Sequence, residues 1–299
     1  MGHPLAIARH LADLYARGEN LIAHLKGLEG RSHNTVEDIL LSYDFQAGSY
    51  IREYEANPAY LDRYTAELAA LLARLDPGSS LLEVGCGEAT TLSVLGGQLP
   101  PGRTLAGFDI SWSRARLGLD FARRRGLDPT LFCADLFRIP LADRSVDVVY
   151  TSHSVEPNGG REVEAIRELA RIARRWLVLL EPAYDLAPPE ARARMEKHGY
   201  VRNLADAIRS LGLDLVEHRL FPVCSNPLNP TGLYVIRLDP TLPPTPDLRF
   251  QCPISGAPME RHAAGFFSRD SRLAYPILDG IPCLSESNAI LATKFGGAS

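Results

Sequence analysis

The sequence predicts an α/β fold with a doubly wound, mainly parallel sheet, because short apolar runs alternate with helical patterns and end in polar residues. The first run, 80–84, is followed by Gly85-Cys86-Gly87 and by a helix-like segment at 89–98. Buried parallel strands have such continuous apolar sequences. Glycines after a strand let the backbone turn sharply and approach a ligand. The runs 104–109 and 130–135 repeat the pattern.

Each of these three runs carries an acid at or near its end, namely Glu83, Asp109 and Asp135. In a doubly wound sheet, an acid at the tip of the second strand lies beside the glycine turn, where it can accept hydrogen bonds from both hydroxyls of a ribose. Hydrogen bonds to a charged acceptor contribute roughly 1.5–3 kcal/mol each, which is enough to select a nucleoside. Asp109 is therefore expected to hold a ribose, and Asp135 is expected to meet an adenine amino group.

Four ordered segments, at 83–87, 109, 134–135 and 145–150, resemble the motifs of class I S-adenosylmethionine-dependent methyltransferases. The resemblance covers about residues 81–237 and implies a Rossmann-like, seven-stranded sheet. A dinucleotide-binding motif has a third glycine where this sequence has Thr90, which favours the methyltransferase interpretation. The resemblance implies S-adenosylmethionine as cofactor, S-adenosylhomocysteine as product, and no metal.

The resemblance also implies cofactor contacts at individual positions. Glu83, Gly85 and Gly87 are expected to shape the methionine and ribose side of the pocket. Asp135 and Leu136 are expected to bracket the adenine. Further cofactor contacts are expected from Ile110, Ser152, Tyr43 and Tyr50.

Residues 1–75 have helical periodicity and are predicted to form a helical region that closes over the cofactor as a lid. Aromatic, amide and hydroxyl side chains are dense at 42–50. Tyr43 and Tyr50 are candidates for contact with the cofactor, and Gln46 is a candidate for contact with the substrate. The alternative is that the tyrosines only pack the helices against the sheet edge.

The loop after the fourth predicted strand, 146–151, lies where a transferred methyl group should meet its acceptor, because open α/β sheets bind ligands beyond the carboxyl ends of their strands. His153 is the first candidate for a general base or an acceptor-orienting group, since histidine has a pKa around 6.5. Glu156 is the second candidate. The alternative is that His153 caps a turn or only lines the cofactor pocket, because orientation alone can supply up to roughly 7–11 kcal/mol of the barrier.

Four more side chains are candidate substrate contacts. Glu181 and Tyr184 follow the fifth predicted strand, 176–180, and so reach the same sheet edge. Asn226 and Asn229 lie in a proline-containing loop between the last two predicted strands, and turn formation alone is the alternative for them.

Two predicted helices flank this edge, at 112–125 and 161–174. The first carries Arg114, Arg116 and the run 123–125 on the side predicted to be exposed. Such a run is ordinarily a solvated helix face, and an RNA-contacting face is the alternative. Trp112 is expected either beside the adenine or in the core.

The segment 239–247 contains four prolines and is predicted to be a stiff linker between domains. Beyond it, 250–256 and 273–282 resemble a small zinc-ribbon module that accompanies some methyltransferases as a fused domain or a free partner. The position that should pair with Cys252 is Ser255, and Cys283 and His262 do not supply the spacing of a four-ligand zinc site. The tail is therefore predicted to be metal-free and to cover an edge of the catalytic domain or to build a homodimer.

The predicted domains are thus a helical lid at 1–75, a catalytic domain at 76–240 and a small β-rich appendage at 248–299. The chain has 299 residues, 45% of them hydrophobic, and a net charge of −4, which argues against a long nucleic acid as ligand. Five scattered cysteines indicate a reducing compartment. Since neither a membrane-length apolar run nor a signal-peptide pattern is apparent, a cytoplasmic protein is expected.

The favoured function is methylation of oxygen or nitrogen on a small-molecule acceptor, such as a natural product, a sugar or a metabolite. RNA methylation is the runner-up, because the tail resembles a partner of enzymes that modify ribosomal or transfer RNA. A binding module that has lost catalysis is a third alternative.

Overall fold

The structure is a computed structural model that describes residues 8–31, 34–75 and 79–295. Residues 1–7 of the predicted helical lid and the predicted boundary at 76 lie outside the described residues. Within the described ranges the helices are α1 (Ala8–Ala16), α2 (Leu21–Glu29), α3 (Val36–Phe45), α4 (Ser49–Ala56), α5 (Ala59–Leu75), α6 (Thr90–Gly96), α7 (Trp112–Arg124), α8 (Glu162–Ile172), α9 (Pro189–His198) and α10 (Leu204–Ser210). The strands are β1 (Ser80–Val84), β2 (Thr104–Asp109), β3 (Thr130–Cys133), β4 (Val146–Ser152), β5 (Ala173–Pro182), β6 (Asp214–Leu220), β7 (Thr231–Arg237), β8 (Glu260–His262), β9 (Gly265–Ser268), β10 (Leu273–Leu278), β11 (Ile281–Pro282) and β12 (Ile290–Leu291).

A seven-stranded sheet in the order β3-β2-β1-β4-β5-β7-β6 forms the centre of the described chain. The first five of these strands run parallel, and β7 inserts antiparallel between β5 and β6. Every residue of β1 is buried, as its continuous apolar sequence predicts. This arrangement confirms the predicted Rossmann-like α/β fold, and it places the ends of β1, β2, β3 and β4 along one edge.

Two predicted helices are two residues too long at their C-terminal ends, and the one predicted at 89–98 ends at Gly96. The helix predicted at 161–174 ends at Ile172, and β5 begins at Ala173. The sequence predicts a helix through Arg174, but Arg174 and Arg175 lie in β5, where both side chains bind residues that are distant in sequence. Arg174 pairs with the buried Asp147, its Nε 3.2 Å from the carboxylate, and Arg175 donates to the carbonyl of Pro240.

The N-terminal helices form a small layer with an apolar core of their own, which consists of Leu11, Leu14, Leu21, Leu25 and Leu41. A capping box between Thr35 and Asp38 starts α3. The next helix, α4, begins after Gly48 without a local side-chain cap. The buried carboxylate of Glu88 supplies that cap from the glycine turn, since it accepts hydrogen bonds from the backbone N–H groups of Tyr50 and Ile51.

The appendage is a five-stranded antiparallel sheet formed by β8–β12. It covers the outer edge of β3, where the N–H of Leu284 donates to the carbonyl of Cys133 at 2.8 Å. Phe250 and Phe266 of the appendage join the core of the large sheet, and Phe250 packs edge-on against Phe132. Of the two predicted roles of the tail, this arrangement shows the first, which is to cover a sheet edge.

The proline-rich segment 239–247 lies on the catalytic domain rather than projecting from it. Arg174 donates to the carbonyl of Pro243, and the N–H of Thr245 donates to Asp147. The segment thus connects the two sheets along a surface to which it is hydrogen-bonded.

The sulfur of Cys252 is buried at the start of the appendage. It lies 3.2 Å from the hydroxyl of Tyr275, and it accepts hydrogen bonds from the N–H of Ser255 and the hydroxyl of Ser271. Hydroxyl and amide hydrogens therefore surround the thiol where a zinc ribbon has further thiolates. In the part of the chain that the structure describes, no cluster of three or more His, Cys, Asp or Glu side chains could hold a metal ion.

None of the described helices is long and apolar enough to span a membrane.

Candidate functional site

A cavity of about 810 Å³ opens at the edge where β1, β2, β3 and β4 end. Helices α3, α4 and α5 close it from the other side. All ten predicted cofactor contacts line it, together with His153. These ten residues are Tyr43, Tyr50, Glu83, Gly85, Gly87, Asp109, Ile110, Asp135, Leu136 and Ser152.

The glycine turn forms the cavity floor in a conformation that requires glycine. Gly85 and Gly87 have φ angles of 60° and 53°, in the left-handed region that other residues adopt at a cost. A Cβ on Gly85 would lie 2.4 Å from Cβ of Ser154, and a Cβ on Gly87 would lie 2.7 Å from Nη2 of Arg114. The backbone is therefore bare and closely surrounded at this point.

Asp109 is held in position by two backbone N–H groups, each bound to a different carboxylate oxygen. Gly87 donates to Oδ2 at 2.8 Å, and Ser111 donates to Oδ1 at 2.9 Å. Because a carboxylate oxygen has more than one acceptor site, both oxygens can also accept hydroxyl groups from the cavity. This geometry is suited to a ligand with two adjacent hydroxyls.

Glu83 lies deeper in the same wall and is fully enclosed. The hydroxyl of Tyr150 donates to its carboxylate at 3.0 Å. Burial raises the pKa of Glu83 to about 8, and the nearby charge of Asp109 acts in the same direction. Glu83 is therefore able to hold a proton near neutral pH.

Ile110, Leu136 and Phe137 contribute apolar side chains to the cavity wall. Asp135 also lines the cavity, and one of its oxygens accepts a hydrogen bond from the N–H of Phe137 at 2.9 Å. The guanidinium of Arg161 stacks on the Phe137 ring, 3.3 Å from its centroid. Apolar side chains together with a carboxylate suit a flat heterocycle with an amino group.

Five tyrosines from α3, α4 and α5 form the roof, namely Tyr43, Tyr50, Tyr54, Tyr60 and Tyr64. Tyr64 lies 2.9 Å from the hydroxyl of Ser152, so the roof is joined to the end of β4. Tyr43 and Tyr50 thus line the cavity, and their contact with a cofactor stays a prediction.

Arg114 is the main cavity residue that the sequence analysis placed elsewhere. The sequence predicts it on an exposed arginine face, but only 4% of it is exposed, and its guanidinium lies over the rings of Tyr43 and Tyr50. A usable signal was present in the sequence, because Arg114 shares the apolar face of α7 with Ala115, Gly118 and Ala122.

The other arginines of α7 are engaged by acids. Arg116 pairs with Asp120 and with Asp279 of the appendage, and Arg124 pairs with Glu55. Trp112 donates from Nε1 to the carbonyl of Leu278 at 3.2 Å, so it anchors the appendage, and it is absent from the cavity wall formed by the described residues.

His153 lines the cavity with both ring nitrogens already engaged. Nδ1 lies 2.5 Å from Glu156, and Nε2 lies 2.8 Å from the hydroxyl of Thr231. Burial by itself lowers the pKa of His153, but the hydrogen bond and charge of Glu156 outweigh it, so that the net pKa is raised. The histidine therefore joins the loop after β4 to β7.

The remaining predicted side chains are absent from the cavity wall formed by the described residues. Glu156 lies behind His153 and also accepts a hydrogen bond from Asn229. Glu181 is fully buried and accepts hydrogen bonds from the N–H groups at 154, 155 and 156, so it shapes the loop from below.

The other three predicted substrate contacts bond to nearby groups. Gln46 donates to the carbonyl of Ser42, Tyr184 donates to Glu196, and Asn226 accepts from the N–H of Leu228. For Asn226 this is the turn chemistry that was the alternative.

Comparison with known proteins gives one family match. A family model described as "Methyltransferase domain" matches residues 82–176. An uncharacterized 37.1 kDa protein in transposon TN4556 of Streptomyces fradiae is 28% identical over 169 residues. The match takes in 54% of this chain and 46% of that protein, so the chain spans less than half the length of this curated relative.

Two solved structures share the fold. One is magnesium protoporphyrin IX methyltransferase from Synechocystis PCC 6803 with bound SAH, with a TM-score of 0.51 and 18% identity. The other belongs to the complex between the Haloferax volcanii Trm112 methyltransferase activator and a methyltransferase, with a TM-score of 0.51 and 16% identity. Each similarity covers 66% of this chain and 98% of the other chain.

Proposed function

We propose that this chain, which carries a class I methyltransferase domain, binds S-adenosylmethionine in the 810 Å³ cavity and methylates oxygen or nitrogen of a small-molecule acceptor. The observation that carries the proposal is the convergence of all ten predicted cofactor residues on one cavity wall. They come from five separate parts of the chain and meet where an open α/β sheet binds its ligand.

The residues in the cavity fit the cofactor. Asp109 would accept hydrogen bonds from the ribose hydroxyls, and Ile110 and Leu136 would enclose the adenine. The bare backbone at Gly85 and Gly87 would lie along the methionine part. When bound, the cofactor supplies an electrophilic methyl group on a sulfonium.

The chain's own part in the reaction is orientation and exclusion of water. The tyrosine roof and the loop after β4 enclose the position where donor and acceptor would meet, and alignment of this kind supplies up to roughly 7–11 kcal/mol. His153 is held by Glu156 and Thr231, so we propose that it fixes the loop and orients the acceptor. As a general base it would first have to release one of these partners.

A small-molecule acceptor fits this surface better than RNA does. The cavity is roofed by tyrosines, and the net charge of the chain is −4. The exposed arginines of α7 are paired with acids, including Arg123 with Asp128. Proteins that hold RNA through phosphate contacts present unpaired basic surface and lose affinity steeply with salt.

The proposal is tested by calorimetric titration of the wild type and Asp109→Ala with S-adenosylmethionine and S-adenosylhomocysteine. We expect the wild type to bind with micromolar affinity. Asp109→Ala should bind about 10- to 100-fold more weakly, because hydrogen bonds to a charged acceptor are removed. Asp128→Ala, an exposed acid at the far end of α7, is the matched control and should bind as the wild type does. A folded wild type that binds neither ligand would contradict the proposal.

The acceptor class is then tested with radiolabelled cofactor on metabolite and RNA extracts at about 50 and 300 mM salt. Methyl transfer to the metabolite fraction, with little dependence on salt, is the expected result. Transfer to RNA that falls steeply over this salt range would overturn the small-molecule assignment.

A further inference from the structure

Arg114 is a buried cation with one enclosed hydrogen-bond donor that lacks a partner. Its Nε is enclosed and has no hydrogen-bond partner among the described residues, although the side chain lines the cavity. Buried polar groups in folded proteins are nearly always hydrogen-bonded, and a donor left without an acceptor is costly. Because the side chain also lines the cavity, a ligand that supplies an oxygen there would add hydrogen bonds to this guanidinium.

Acidic neighbours balance the charge of Arg114, but its Nε has no hydrogen-bond acceptor. Nε lies 3.8 Å from the carboxylate of Glu88, which is too long for a hydrogen bond. Burial lowers the pKa of Arg114, but the charges of Asp109 and Glu88 more than offset this, so the guanidinium stays charged. A ligand here needs no negative charge of its own, and a neutral acceptor such as a hydroxyl oxygen is sufficient.

The guanidinium lies over two aromatic rings and near the charge of Asp109. Its carbon lies 5.1 Å from the ring centre of Tyr43 and 4.5 Å from that of Tyr50, so the two rings hold it. Nη2 lies against Gly87, whose N–H donates to Asp109. A strong donor and a strong acceptor thus both adjoin Gly87.

A ribose matches this pair. Each of its two adjacent hydroxyls both donates and accepts one or more hydrogen bonds, so one sugar can serve a carboxylate and a guanidinium together. We propose that Arg114 is a nucleoside-binding residue that donates to a ribose hydroxyl oxygen while Asp109 accepts from the ribose. This rests on the proposed function, since it concerns the same cofactor.

The test is a set of binding titrations on Arg114→Met and Arg114→Lys. The probes are S-adenosylhomocysteine, its 2′-deoxy and 3′-deoxy forms, and 5′-methylthioadenosine, which lacks the amino-acid carboxylate. Arg123→Met is the control, because Arg123 lies on the same helix, is exposed and pairs with Asp128. Melting temperatures without ligand show whether each variant is folded, and Arg114→Lys keeps the charge if Arg114→Met does not fold.

We expect both Arg114 variants to bind S-adenosylhomocysteine about 10- to 100-fold more weakly than the wild type, as for the loss of a charge-assisted hydrogen bond. The loss of affinity should be the same for 5′-methylthioadenosine, which keeps the ribose. It should fall below about 3-fold for the deoxy form that lacks the hydroxyl bound by Arg114. Arg123→Met should change none of these affinities.

Three results would overturn the inference. Wild-type affinity in a folded Arg114 variant would show that Arg114 does not bind the ligand. A loss confined to S-adenosylhomocysteine, with 5′-methylthioadenosine unaffected, would place Arg114 on the carboxylate of the amino acid. No binding by the wild type would refute the proposed function, and with it this role of Arg114.

Discussion

Glu83 and Asp109 lie near the ends of neighbouring strands, yet their surroundings differ. Asp109 has two backbone N–H donors and faces the cavity, whereas Glu83 is enclosed with the hydroxyl of Tyr150 as partner. Desolvation disfavours the charged form of a carboxyl, and hydrogen bonds to the carboxylate favour it. Glu83 is therefore able to carry a proton near neutral pH.

This difference predicts a pH dependence of stability. The pKa of Glu83 is about 8 in the folded protein, against 4.5 for an ordinary glutamate, so the folded state binds more protons between these values. The stability that Glu83 contributes is full below about pH 4.5 and is lost as the pH rises through about 8. Glu83→Gln, which stays neutral, should show a smaller fall in unfolding free energy between about pH 5.5 and 8.5.

Urea titrations at the two pH values measure this. Glu67→Gln is the control, because Glu67 is an exposed residue of α5. Its unfolding free energy should fall between the two pH values as much as that of the wild type. If Glu83→Gln loses as much stability as the wild type over this range, Glu83 is not the protonated group.

At the scale of elements, α4 depends on a cap that lies elsewhere in the sequence. Gly48 offers no side chain to the first turn, and Glu88 accepts the N–H of Ile51 at 2.8 Å and that of Tyr50 at 3.4 Å. A carboxylate at a helix N-terminus also interacts favourably with the helix dipole. The glycine turn and the tyrosine roof are thus joined by one buried side chain.

Glu88→Gln should loosen α4 selectively. The amide keeps one acceptor oxygen but loses the charge, and its NH₂ group cannot accept from the backbone. We expect amide hydrogen exchange of residues 49–56 to become about 10-fold faster or more, while α5 at 59–75 keeps its rates. Exchange followed by mass spectrometry measures both helices in one experiment.

Glu55→Gln is the matched control, because Glu55 lies in α4, is exposed and pairs with Arg124. It should leave the exchange of 49–56 near the wild-type rate. Unchanged exchange in Glu88→Gln would show that packing alone holds α4.

At the scale of the whole molecule, the appendage and the catalytic domain share a core. Phe250 lies 5.4 Å from Phe132 of β3 and 4.9 Å from Phe266 of β9, measured between ring centres. Cys252, Tyr275 and Leu284 belong to the same apolar cluster as the strands of the large sheet. The two parts should therefore unfold together, although the proline-rich segment between them suggests separate domains in the sequence.

Phe250→Ala should lower the unfolding free energy by about 2–4 kcal/mol, the cost of removing a partly buried aromatic ring. Urea unfolding should keep a single transition, observed equally by fluorescence and circular dichroism. Ile254→Ala is the control in the same appendage, since Ile254 is 50% exposed, and it should cost less than about 1 kcal/mol. Two separate transitions would show that the appendage unfolds on its own.

The sequence by itself determined the sheet, the glycine turn and the row of acids along its edge. These features are local, because a buried strand must be apolar throughout and a left-handed turn at Gly85 and Gly87 favours glycine. All ten predicted cofactor contacts therefore reached the cavity. The prediction of a helix through Arg174 was wrong because this region does not depend on local sequence alone. The partners of Arg174 and Arg175 in the strand are distant in sequence.

Only the tertiary structure decided that Arg114 faces the cavity and that His153 has both ring nitrogens engaged. Charge in the sequence indicates exposure, because burying a charge is costly unless partners compensate it. Arg114 is buried because Glu88 and Asp109 meet it from other elements. His153 is engaged by Thr231, 78 residues away, and is not a free base in this geometry. Such pairings depend on how helices and strands pack across the fold, and the sequence of each element does not contain that information.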